Sequence, residues 1–88
     1  MQTLIQPVQV WPSSANTLYL RAGNLGPPPQ FFYQLQNVDA DGVVTVLKDG
    51  NVSMTSEQWQ AWPADLGTQG DDDYQLTAIA ANLGLTRA

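Results

Sequence analysis

The hydrophobic period of this chain changes once, at Met54, and the change divides what its two parts can fold into. Before it, apolar residues recur at every second position, as a half-buried strand requires; after it they recur at every third or fourth, as an amphipathic helix requires. A run of strands followed by a run of helices implies an α+β domain rather than an alternating α/β one. With 88 residues there is room for a single compact domain, residues 1-88. A chain of this size buries only about 60% of the surface that its unfolded form exposes, so each apolar residue counts.

The strand half can be followed residue by residue. In "LIQPVQVW", Leu4, Val8 and Val10 fall on one face and Ile5, Gln9 and Trp11 on the other. Pro7 has no N–H for a sheet ladder, which makes residues 1-12 an edge strand or an extended arm. The stretch from Pro12 to Asn16 reads as a turn. In "TLYLRAGN", Leu18, Leu20 and Ala22 point inward while Tyr19 and Arg21 point outward.

Three prolines, Pro27, Pro28 and Pro29, run directly into "QFFYQLQNV". They lack the P-x-x-P spacing of a displayed docking helix and read as a stiff connector that fixes the entry of the next strand. Along that strand Phe31, Tyr33 and Leu35 share one face and Phe32, Gln34 and Gln36 the other, which leaves Phe32 as an outward aromatic. Asp39-Ala40-Asp41-Gly42 is a turn, since Asp and Gly tolerate the backbone angles it needs. It leads into the β-branched run "VVTVL". After Asp49-Gly50, "NVSMT" either pairs back as a last strand or continues the same strand through a glycine bulge.

In the helical half, Thr55 and Gln58 have the spacing of a capping box, and Pro63 ends the helix by disfavouring helical geometry at Trp62. Trp59 and Trp62 then lie on one helix face. A polar loop is expected from Asp65 to Gly70. Asp71, Asp72 and Asp73 read as the cap of a second helix, placing negative charge at the positive end of its dipole. Leu76, Ile79, Ala80 and Leu83 follow at helical spacing, and Gly84-Leu85 reads as a Schellman stop. The expected fold is a mainly β, α+β domain: a small antiparallel sheet or sandwich of four to five strands with two short C-terminal helices.

Composition excludes several functions. There is no cysteine and no histidine, so disulfides, thiolate chemistry, Cys-based zinc sites and the commonest general base are all missing. Formal charge is −5, and Arg21, Lys48 and Arg87 are too few and too scattered to neutralise a run of phosphates. Nucleic acid and anionic membrane are therefore not expected as partners. No apolar run is long enough to span a bilayer, and "MQTLIQPVQVW" does not have the pattern of a secretory signal. Asn51-Val52-Ser53 fits a glycosylation sequon, which without a signal peptide is read as chance. Charged residues make up 12% of the chain, against roughly 25% in an ordinary domain. Ten glutamines stand in their place. Amides and aromatics with little charge suit an interface that stays closed, where charge is depleted.

Candidate sites are few. Three consecutive aspartates point in different directions and do not follow a calcium-loop pattern, so a helix cap is preferred and neither metal nor cofactor is expected. Asp49, Glu57 and Asp65 are the carboxylates that a glycosidase would have to use, but so small a two-layer domain has little depth for a cleft. No enzyme activity and no small-molecule substrate is expected. Trp59 and Trp62 fit as core pieces, with Trp62, next to Pro63, the more exposed of the two. Trp11, Tyr19, Phe32 and Trp62 are the candidate partner-contact residues, and the arm around Pro7 is a candidate for strand addition to a neighbouring sheet.

The stretch "VLKDGNVSMTSEQWQAW" followed by "DDDYQLTAIAANLGL" resembles small accessory structural proteins of tailed bacteriophages, over residues 17 to 85. Asp49, Gly50, Asn51, Gln58, Trp59, Tyr74, Leu83, Gly84 and Leu85 carry the likeness. Gly26 to Pro29 and the loop from Pro63 to Gly70 look peculiar to this chain. The resemblance implies a virion component made in the host cytoplasm, non-enzymatic, repeated in many copies, and bound to itself and to other virion proteins. It would belong to the tail, baseplate or fibre-attachment region, with a capsid decoration or cement protein as the near variant. A small carbohydrate-binding module that uses exposed aromatics is the alternative from another class.

Overall fold

The computed structural model describes residues 1–10, 13–23, 28–63 and 68–88, with the side chains of 68 and 69 set aside. Among the described residues, four strands form one antiparallel sheet in the order β1-β2-β3-β4: β1 (Gln2–Val10), β2 (Ser13–Ala22), β3 (Gln30–Val38) and β4 (Val44–Ser53). Two helices follow, α1 (Ser56–Ala61) and α2 (Thr68–Asn82). This is the mainly β, α+β domain that the change of period implies, built as a single up-and-down sheet with helices on one side rather than as a sandwich.

The core lies between that sheet face and α2. Leu18 pairs across from Leu35 and Leu20 from Tyr33, and all four are buried. Phe31, Met54, Leu76, Ile79 and Ala80 close the cluster. Burying each large aliphatic or aromatic side chain here contributes about 1.5 to 3 kcal/mol. Ala22, expected inward, is exposed although Phe31 across from it is buried, because the pairing of β1 begins opposite Tyr19 and leaves that end of β2 with β3 alone beside it among the described residues.

β1 departs from simple pairing. Its register with β2 shifts between Leu4 and Val8, and Ile5 is buried while Leu4 is exposed. Pro7, which cannot donate to a ladder, sits inside the shift. Across the shift Leu4, Val8 and Val10 still pair with alternate residues of β2, Thr17, Ala15 and Ser13, so the expected division of Leu4, Val8 and Val10 from Ile5 holds. Within the expected turn from Pro12 to Asn16, the described residues are strand instead. Ser13 already pairs with Val10, and Ser13 to Asn16 belong to β2. Asn16 stays in the strand because its amide binds the backbone of Val38 twice, donating from Nδ2 to the carbonyl at 2.9 Å and accepting the N–H at 3.0 Å.

The β3–β4 hairpin is made by Asp39, whose carboxylate accepts the N–H groups of Asp41 and Val43, each at 2.9 Å. Gly42 supplies the positive φ, +83°. Of the two expectations for "NVSMT", the continuation holds: β4 runs unbroken through Gly50 to Ser53. The irregularity falls at Leu47 rather than at the glycine, between the pairs Leu35↔Lys48 and Gln36↔Val46. Gly50 has another reason to be glycine. A Cβ there would stand 3.1 Å from the Tyr33 ring that crosses it.

α1 has the complete capping box. Thr55 Oγ1 accepts the Gln58 N–H at 3.1 Å, and Gln58 Oε1 accepts the Thr55 N–H at 2.9 Å. α2 begins earlier than expected, at Thr68, so Asp71 to Asp73 lie inside the helix rather than at its cap. Near the helix start the dipole still favours their charge. Residues 65–67 of the expected loop, like Gly26 and Pro27 before the third strand, lie outside the described residues. Pro29 is buried, and its carbonyl accepts the N–H of Met54 at 3.1 Å. α2 stops in the Schellman pattern: Leu85 N–H donates to Ala80 O at 2.8 Å and Gly84 N–H to Ala81 O at 3.1 Å, with Gly84 at φ +73°.

Beyond that stop, the last residues return to the sheet. Gln6 N–H donates to Thr86 O at 2.8 Å and Ala88 N–H to Leu4 O at 3.0 Å, so the C-terminus lies along the outer edge of β1. Arg87 holds it there. Its guanidinium donates to Thr3 Oγ1 at 3.1 Å, Thr77 Oγ1 at 2.8 Å and Asp73 Oδ1 at 2.6 Å.

Candidate functional site

Three surfaces hold the residues that could meet a partner. The first is an aromatic corner at the end of α1. Trp62 caps that helix and stacks on Tyr74 of α2, with ring centroids 5.5 Å apart and planes 22° apart. Trp59 meets Trp62 at 5.9 Å with the planes at 85°. The Trp62 indole N–H donates to Asp71 Oδ1 at 2.9 Å, and Tyr74 OH donates to the Gln58 carbonyl at 2.6 Å. Offset and edge-on aromatic pairs add about 0.5 to 1.5 kcal/mol each beyond area burial. Trp62 is thus the brick that joins α1 to α2, and Trp59 is the exposed one at 41%. This reverses the expected order, because Tyr74 and Asp71 reach Trp62 from a helix that begins earlier than its sequence signals. Trp59, Trp62, Pro63 and Asp71 line an open groove of about 540 Å³.

The second surface is the sheet face opposite the helices. Its rows cross neighbouring strands: Gln2, Tyr19, Gln34 and Asp49 in one, Leu4, Thr17, Gln36 and Val46 in the next, and Arg21, Phe32 and Asn51 in a third. Tyr19 and Phe32, both half-buried, therefore share this face in adjacent rows. The Arg21 guanidinium lies 5.1 Å from the centroid of the Phe32 ring, which partly covers that outward aromatic. Gln36, expected outward, is on this face but buried. It donates to Gln34 Oε1 at 2.9 Å. An amide can be covered this way without the penalty that a charge would bring.

The third surface is the outer edge of β4, and it is the one that sequence reasoning did not single out. β4 pairs with β3 on one side and, among the described residues, with no strand on the other. Val44 and Val46 are 52% and 45% exposed, and Val43 just before them is exposed as well. Lys48 and Asp49 are the only charged residues in the strand. The available signal was "VVTVL" standing last among the strands, since a final strand in a meander is an edge.

The four candidate contact residues are not brought together. Tyr19 and Phe32 lie on the open sheet face, Trp62 packs in the helix layer against the core, and Trp11 lies outside the described residues. The arm around Pro7 is a strand of the chain's own sheet, and its outer edge is already taken by Thr86 to Ala88. The candidate carboxylates are dispersed too. Asp49 is on the open sheet face, Glu57 is in the first turn of α1, and Asp65 lies outside the described residues. Asp71 and Asp73 serve different partners, Trp62 and Arg87, which is the divergence expected of consecutive aspartates. Compared with protein-family models, curated proteins and solved structures, the chain matched none.

Proposed function

We propose that this chain is a non-enzymatic structural component of a phage particle, of the tail, baseplate or fibre-attachment region, acting through contacts with its own copies and with other virion proteins. The supporting observation is the valine-rich outer edge of β4, which pairs with no strand among the described residues. An edge strand of ten residues presents a row of backbone donors and acceptors that another strand can complete. The low charge and high glutamine content of the chain favour the same role, because contacts between amides and apolar groups desolvate no ion. A capsid decoration protein would use the same edge. Mass spectrometry and immunogold labelling of density-purified particles test the reading. The chain is expected in a fixed ratio to the major virion proteins, and recovery only from the particle-free fraction of the lysate would overturn it.

A second reading has its own observation. The exposed Trp59 ring beside Asp71 is the pairing of stacking platform and acceptor that carbohydrate modules use. Binding on a glycan array that is lost in Trp59→Ala supports it, and an array without signal removes it.

A further inference from the structure

We infer that β4 pairs with β4 of a second copy of this chain, antiparallel about a two-fold axis perpendicular to the sheet, and that growth stops at two copies. The inference rests on the assembly reading of the β4 edge and names the partner of that edge.

The chemistry of the edge restricts the occupant. Between Val44 and Ser53 the strand is ten residues long, contains no proline and has no partner on its outer side among the described residues. Only an extended segment can satisfy a row of strand N–H and C=O groups.

Charge favours a second copy in one orientation. Each chain carries −5, so two copies repel unless they meet along a neutral strip. β4 is such a strip, because Lys48 balances Asp49. At its N-terminal end stands the acidic hairpin with Asp39 and Asp41, both exposed. Parallel pairing would set the two hairpins side by side. Antiparallel pairing sends each to the far end, beside the uncharged Asn51 and Ser53 of the other copy. A two-fold axis perpendicular to the sheet also keeps the helices of both copies on one side. Val44 and Val46 of both copies then share the opposite face.

Closure follows from the other edge. A β4-to-β1 contact would propagate as an open filament. In this molecule β1 is broken by the register shift around Pro7 and covered between Leu4 and Gln6 by the chain's own Thr86 to Ala88. The pair is therefore an eight-stranded sheet, ordered β1-β2-β3-β4-β4-β3-β2-β1, with both ends covered.

The experiment is sedimentation of the full chain over a wide concentration range, with two kinds of variant. Wild type is expected to approach twice the 9.6 kDa of one chain and to stop there. V44K/V46K is expected to weaken the dimer by at least about tenfold, with an unchanged melting temperature at low concentration, since both valines are exposed in the single chain. Because the chain has no cysteine, single substitutions report proximity without background. Lys48→Cys, nearest the two-fold axis when Val44 lies beside Ser53 of the other copy, is expected to form an intermolecular disulfide under mild oxidation, and Gln9→Cys on β1 is not. A monomer at millimolar concentration overturns the inference. So does a dimer indifferent to V44K/V46K, or one cross-linked through Gln9→Cys, and species larger than two overturn the closure. A monomer found in particles defeats the pairing alone. A dimer absent from particles defeats the phage reading alone.

Discussion

The two outer strands of the sheet each carry a register shift, but they differ in proline, in exposed valines and in what lies beside them. β1 contains a proline, shifts register in its middle and has the C-terminus of the chain laid along it. β4 is unbroken by proline and exposes valines. Proteins guard sheet edges with bulges, proline, charge or a covering segment. β1 has three of these, and β4 has the one-residue irregularity at Leu47 and Lys48 with its neighbour Asp49, but no proline and, among the described residues, no covering segment. A chain that needed merely to stay monomeric would guard both. The asymmetry therefore separates an edge that is closed by folding from an edge left to a partner.

Both edges hang on the same core, so the largest effect should erase the difference between them. Leu20→Ala removes a fully buried side chain beneath the middle of the sheet and is expected to destabilise by about 3 kcal/mol. Chemical denaturation measures it, and a loss below about 1 kcal/mol would mean that the core is not where we place it.

Deleting Thr86 to Ala88 attacks the closed edge alone. It removes two backbone hydrogen bonds to β1 and the Arg87 ties to Thr3, Thr77 and Asp73. A stability loss of about 2 kcal/mol is expected, together with species beyond the dimer as the β1 edge becomes available. A truncated chain of unchanged stability and unchanged size distribution would show that the tail guards nothing.

Gly50→Val tests whether β4 is held as rigidly as its pairing implies. The added carbons must displace the Tyr33 ring, which is buried, and overpacking of this kind destabilises by about 1 to 2 kcal/mol. An unperturbed melting curve would mean that the ring moves aside freely.

A smaller effect lies just beyond β4. Thr55→Ala breaks the capping box of α1 and should destabilise by about 1 kcal/mol. Gln58 would keep its bonds to Asn82 and to Ala78 O, so the mutant should still fold. The smallest expected effect is on the open edge itself. Val44→Thr should change monomer stability by less than about 0.5 kcal/mol, and a larger loss would mean that Val44 is already covered within the single chain.

Much of this architecture was legible in the order of residues, because local periods and caps depend on neighbours a few positions away. The alternation of Phe31, Tyr33 and Leu35 marked the buried face of β3, Asp39 to Gly42 marked the hairpin, and Thr55 with Gln58 marked the start of α1. Gly84 and Leu85 marked the end of α2 for the same reason. The faces of β1 were legible, because its shift adds two residues and keeps the alternation, but the shift itself was not, since it depends on the partner strand. The exposure of Trp59 over Trp62 depended on Tyr74 and Asp71, which arrive from another helix. The candidate site divided along the same line. Sequence alone could name Tyr19, Phe32 and Trp62 as outward or aromatic, but a contact surface belongs to rows across strands, and those rows separate Trp62 from the other two. The sequence by itself determined where strands give way to helices and where each element turns. Only the tertiary structure decided which edge of the sheet stays open, because Thr86 to Ala88 reach β1 across some eighty intervening residues, a pairing written in no local period.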